Sequence, residues 1–244
     1  MMKNFAKIFT AIVVAFAAYS CVADATEDLG VNINVVGQNS LTLSLDETRV
    51  QLGEKAEGVY PLYWSNGDQI AVNGVASTPL TDVAEGAKSA TFQFDGNGVS
   101  SPFNIVYPAP EAVAAEEGEE EAPAAAAYPV VFPAAQQYVA GNIDPKAMVL
   151  YGYAANGEAV TLNPLVGVLQ LNVTGNGEKV TLLTVKSEKG KIAGSYTVDC
   201  TNGTLTEVEA SNTVTMDLDV TLGAEAQVLY VAVPAGSYGT FVVT

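Results

Sequence analysis

The sequence predicts an all-β protein built as two tandem β-sandwich domains, and three observations carry that prediction. Apolar and polar residues alternate with period two in run after run. Gly-rich and Asn-Gly turn residues separate those runs. No amphipathic helix of three turns appears after residue 21. Period two marks half-buried strands, and short strands at regular spacing mean a sandwich or barrel. A chain rich in Val, Thr, Gly and Tyr, with only 15% charged residues, has a β composition as well. The roughly 220 residues that follow an N-terminal leader suit two modest sandwiches better than one large one. The expected domains are 21–150 and 151–244.

Residues 1–20 read as a signal peptide. Lys3 and Lys7 supply the positive start, and Ile8 to Ala18 is an apolar run too short to span a bilayer comfortably. Val31, Ile33 and Val35 form one apolar row and Leu41, Leu43 and Leu45 another, joined by a turn at Gly37-Gln38-Asn39. Thr48 to Leu52 is a short strand. Val59 to Trp64 is extended and aromatic, Ser65 to Asp68 is a tight turn, and Gln69 to Asn73 resumes as a strand. Ser89–Phe94 and Pro102–Tyr107 follow.

Residues 108–127 change character. Six glutamates and three prolines among many alanines make an acidic low-complexity insert, expected to be solvated and mobile. Tyr128 to Pro133 returns to the β pattern, and Val149 to Tyr153 continues it. From Val160 onward regular hairpins are expected. Their strands are Gly167–Thr174, Val180–Ser187, Ile192–Val198, Val214–Val220 and Gln227–Val233, with Gly175-Asn176-Gly177, Glu188 to Lys191 and Thr201 to Thr204 as turns. Thr240 to Thr244 begins one more strand. The chain stops within it, so the second sandwich is expected to be incomplete and residue 244 to be internal to a longer reading frame.

Charge and composition exclude several functions. The net charge of −17 repels phosphate backbones, so no nucleic-acid partner is expected. The chain has no histidine, which removes Ser-His-Asp and Cys-His nucleophiles and imidazole metal ligands together. Two cysteines cannot build a disulfide framework or a four-thiolate zinc site. Asn66, Asp68 and Asn73 lack the spacing of a calcium loop, and turn capping explains them. Gly175-Asn176-Gly177 has no following lysine and helix to make it a phosphate loop. Cys200 reads as a small buried apolar side chain. No enzyme activity, cofactor or metal site is expected. Trp64, with Tyr60 and Tyr63 nearby, could stack on sugar rings, but alternation makes it a core aromatic.

Ala18-Tyr19-Ser20-Cys21 resembles a bacterial lipobox, with Ala18 where leucine is usual and a bulky Tyr19. That resemblance makes Cys21 the lipidated first residue of the mature chain. Acyl chains on it would hold the protein to a membrane. Asp24, Glu27 and Asp28 follow, as in the surface-export signals of Bacteroidales lipoproteins. Cleavage before Cys21 would remove two lysines and no acid, leaving 8 basic against 27 acidic groups, a net charge of −19.

Four further segments resemble the fimbrillin-like lipoproteins of Bacteroidales, the subunits of type V pili: Glu47 to Glu54, Tyr60 to Ile70, Phe132 to Tyr138 and Leu165 to Leu171. The resemblance implies transthyretin-like sandwiches in tandem and a surface-exposed place on the outer membrane, within a fimbrium. It also implies assembly with other pilin subunits by β-strand complementation, after an arginine-specific protease cuts the precursor. Arg49 is the one arginine of the chain, so the cut would fall between Arg49 and Val50. Residues 21–49 would leave, and a strand of the next subunit would enter. The expected protein is therefore a lipid-anchored fimbrial or adhesive subunit, with a host or bacterial surface receptor as a further partner. A surface glycan-binding lipoprotein is the second reading, and it requires a solvent-exposed Trp64.

Overall fold

In the computed structural model the chain is described at residues 39–45, 63–110, 127–156 and 160–244. The strands are β1 (Ser40–Ser44), β2 (Ala71–Val72), β3 (Val75–Ala76), β4 (Ser89–Gln93), β5 (Phe103–Tyr107), β6 (Ala127–Phe132), β7 (Ala135–Gln137), β8 (Leu150–Ala154) and β9 (Val160–Thr161). They continue as β10 (Asn163–Pro164), β11 (Val166–Val173), β12 (Lys179–Ser187), β13 (Ala193–Asp199), β14 (Thr204–Ser211), β15 (Thr213–Thr221), β16 (Gln227–Pro234) and β17 (Phe241–Val243). The one helical element among the described residues is a 3-10 turn at Pro145–Ala147, whose start is capped by the Asp144 carboxylate. The fold is all-β, as expected. The rows Val31/Ile33/Val35, the strand at Thr48–Leu52, the acidic stretch 111–126, and Cys21, Arg49 and Val50 lie outside the described residues.

Among the described residues five sheets enclose three cores. The first core lies between the sheet β4-β1-β9 and one face of the sheet β10-β8-β5-β2-β3. The second lies between β17-β12-β15-β7 and the pair β11-β16. The third joins the other face of β5 and β8 to the sheet β14-β13-β6. Several strands serve two cores, β5 and β16 most fully. Phe103, Ile105 and Tyr107 of β5 face the first core while Val106 faces the third. Tyr230 and Ala232 of β16 reach the first core while Leu229, Val231 and Val233 fill the second. Both strands are apolar along nearly every position because neither face meets water.

Strand pairing crosses residue 150 in both directions. The β8 strand, beyond it, pairs with β5, and β9 runs parallel to β1. Before it, β6 pairs with β13 and β7 runs parallel to β15. Residues 35–244 make up one compact unit.

The expected succession of hairpins is corrected. Thr201 to Thr204 does turn β13 into β14 as a hairpin. The Gly175-Asn176-Gly177 turn instead carries the chain between sheets, because β11 pairs with β16 and β12 with β15. The turn's amides find partners on the far segment: Gly175 N–H donates to Gly223 O at 2.9 Å and Gly177 N–H to Leu222 O at 2.9 Å. A true Asn-Gly hairpin sits elsewhere, at Asn73-Gly74 between β2 and β3. Both residues there have positive φ, 50° and 81°, as a type I′ turn requires. Gly194 in β13, unlike Gly74, has no room for a side chain. Its φ is 121°, and a Cβ would lie 2.6 Å from Ala210 Cα and against the Glu209 carbonyl of β14.

Candidate functional site: the seat of the first strand

The β1 strand is the middle strand of its sheet. It pairs antiparallel with β4, from Ser40 opposite Gln93 to Ser44 opposite Ser89, and parallel with β9 at Leu43 and Ser44. Two more backbone bonds extend the antiparallel ladder, Leu45 N–H to Lys88 O at 2.7 Å and Phe94 N–H to Asn39 O at 2.8 Å. The alternation read from the sequence is realised here. Leu41, Leu43 and Leu45 are buried in the first core, Leu43 completely, while Ser40, Thr42 and Ser44 face solvent. On that outer face Thr42 and Thr91 share a hydroxyl hydrogen bond of 2.8 Å across the strands.

Aromatic rings line the same core. Trp64 meets Phe92 edge-on at 4.9 Å and Tyr107 edge-on at 5.6 Å. Trp64 is only 2% exposed, and its backbone N–H bonds Ala87 O, one residue from the Lys88 carbonyl that receives Leu45. Trp64 cannot serve as a sugar-stacking platform, and the glycan-binding reading loses the residue it was built on. Tyr63 on the opposite face is half-buried.

Burying one leucine side chain contributes about 1.5–3 kcal/mol, so three contribute roughly 5–9 kcal/mol. A whole domain is stable by about 5–15 kcal/mol. Withdrawing β1 without a replacement would therefore remove much of the stability of the first core. It would open a trench with a strand edge on each side, β4 and β9, over a floor of aromatic and aliphatic side chains.

The polar residues near this core act as turn caps. Asp68 Oδ2 accepts the Ser65 N–H at 2.8 Å and Oδ1 accepts the Tyr107 hydroxyl at 2.9 Å. Burial raises the Asp68 pKa, and the Ser65 and Tyr107 donors oppose the rise. Burial and the neighbouring Asp68 carboxylate push Tyr107 well above the usual phenol range. Asn66 Oδ1 accepts the Val83 N–H, and Asn73 bonds Asn104, Ser100 and Pro102. Among the described residues no three Asp, Glu or Cys side chains converge as a metal site would need. The Cys200 thiol is buried, its pKa pushed up to about 12 by burial and by Asp199, which keeps it unreactive.

Sequence reading missed the partners of β1. Both β4 and β9 are distant in the chain, and alternation reports which face is buried but not which strand lies alongside. No family model matches the chain, and no curated protein matches it. Among solved structures the chain is similar to a candidate cell adhesion protein from Bacteroides uniformis, at 13% identity and a TM-score of 0.39, over 85% of this chain and 80% of that one.

Proposed function

We propose that the protein is a lipid-anchored surface subunit of adhesive character that assembles by strand exchange. In this reading Cys21 carries the anchor, a protease cuts after Arg49, and the segment carrying β1 gives up its seat to a strand from another copy. The observation that carries the reading is the seat of β1. It is the most N-terminal described strand, it is flanked on both sides, and it holds two buried leucines, with a third, Leu45, immediately after it. The chain's one arginine follows Leu45 by four residues.

A strand added between two edges gains main-chain hydrogen bonds on both sides and pockets for alternate side chains. Each subunit would donate at one place and accept at another. Such pairing is head-to-tail and grows into a filament instead of closing. The estimated 5–9 kcal/mol for the three leucines explains why exchange would need both a cut and an incoming strand. The cut alone leaves the released segment seated.

The test is digestion of purified precursor with an arginine-specific protease, followed by N-terminal sequencing and sedimentation. The expected result is a new N-terminus at Val50 and slow growth of polymers, absent from Arg49→Gln. A chain that resists cutting at Arg49, or that is cut and stays monomeric, contradicts the proposal. The anchor is checked separately: labelled palmitate should enter the wild-type chain in a lipidating bacterial host and not Cys21→Ser.

A further inference from the structure

Among the described residues two buried polar side-chain atoms lack a hydrogen-bond partner, Trp64 Nε1 and Asn104 Oδ1. Asn104 belongs to the face of β5 turned away from the first core, since Phe103, Ile105 and Tyr107 face it. Trp64 Nε1 lies in the first core itself. Tyr107, in the same core, donates its hydroxyl to Asp68 at 2.9 Å, so polar tips can be satisfied there. Trp64 meets the rings of Phe92 and Tyr107 edge-on, and a ring face is a weak acceptor. A buried donor without an acceptor keeps its desolvation cost uncompensated, and native structures hold few of them.

The orphaned donor sits beside β1. The backbone N–H of Trp64 bonds Ala87 O, and Leu45 N–H bonds the next carbonyl, Lys88 O. At its other end the indole meets Phe92, the cross-strand partner of Leu41. Trp64 thus runs along residues 87–92, the same stretch that carries the leucine row. Leu41, Leu43 and Leu45 are the inward side chains of that row, and none has an acceptor. The hydroxyls of Ser40, Thr42 and Ser44 face solvent.

We propose that the Trp64 indole N–H selects the strand that replaces β1. The favoured strand carries an acceptor side chain, a glutamine or a residue of similar reach, at one of the three inward positions where β1 has leucine. This inference rests on the strand-exchange reading. The other walls of the core stay in place during exchange, so a new acceptor can enter only with the incoming strand. The chain's own segment leaves the donor unpaired and its replacement pairs it, which drives exchange in one direction.

The probe is a fluorescein-labelled peptide of residues 29–45, whose anisotropy is followed as protein cut after Arg49 is added. At each of the three positions a glutamine peptide is compared with a methionine peptide of the same length: Leu41→Gln with Leu41→Met, and likewise at Leu43 and Leu45. At one position glutamine should bind about fivefold or more tightly than methionine, and at the other two more weakly. In Trp64→Phe protein the preference should reverse at that position too. Nitrogen-15 resonance of the chain's one tryptophan guards against a folding defect in that variant: the indole N–H signal should shift, and exchange more slowly, with the favoured glutamine peptide and not with its methionine partner. The inference alone is overturned if the unaltered peptide enters but methionine equals or beats glutamine at all three positions. A preference that survives Trp64→Phe, or an indole signal that stays unmoved, overturns it equally. An unaltered peptide that never enters the cut protein overturns strand exchange and this inference with it.

Discussion

The first and second cores are built differently. Around the second, β11, β12, β15 and β16 are strands of eight or nine residues, and β11 with β16 pairs without a break in register. In the two sheets that enclose the first, no strand exceeds five residues, and β2, β3, β9 and β10 have two each. Long ladders hold the second core through many backbone bonds. The first depends more on side-chain burial, including that of three leucines from a strand close to the N-terminus. A short strand held by its side chains is the kind that a similar strand can replace without rebuilding the sheet.

The sharpest way to break this comparison is Leu43→Ala. The loss of a fully buried leucine should cost about 4 kcal/mol by urea unfolding. Hydrogen exchange should rise around β1, β4 and β9 while Leu229 to Val233 stays protected. Equal loss of protection in both regions would erase the distinction. Gly194→Ala should cost about 3 kcal/mol, because the new methyl group meets the backbone of β14 at a φ unsuited to alanine. That damage should centre on the third core and leave the seat of β1 intact.

A smaller effect concerns pH. Asp68 has a raised pKa in the folded chain, so the folded state keeps its proton where the unfolded state has lost it. The folded state then binds more protons, and stability contributed by this group falls as pH rises from the ordinary carboxylate range through the raised folded value. Asp68→Asn should remove that falling limb, seen as a flatter dependence of urea midpoint on pH. Least of all, Lys179→Ala should change stability by no more than about 0.5 kcal/mol. Its 2.8 Å bridge to Asp219 joins two side chains 59% and 77% exposed, where water and salt screen the pair.

What the sequence disclosed follows from burial. The Leu41/Leu43/Leu45 row was readable because one face of β1 is dry and the other wet. The ends of β4, β5, β12, β15 and β16 were readable within a residue or two for a related reason: each carries a regular apolar row. The β14 strand escaped notice because Thr204 to Ser211 is mostly exposed and carries Glu207 and Glu209, so no buried row marks it. The two-residue strands are too short to show a period. The seat of β1 was half legible: its buried row could be read, its neighbours could not. Hairpin logic assigns each strand to the next one, whereas β1 lies between β4 and a parallel β9.

Trp64 gives the most direct reading of the central claim. It is the one tryptophan of the chain and shares a core with Leu41, Leu43 and Leu45. A fluorescein-labelled peptide of residues 29–45 is mixed with intact protein and with protein cut after Arg49, and energy transfer from Trp64 is followed. The account predicts uptake by the cut protein alone, with Trp64 emission staying blue as one strand replaces another. No transfer to the cut protein, or equal transfer to the intact one, would contradict it.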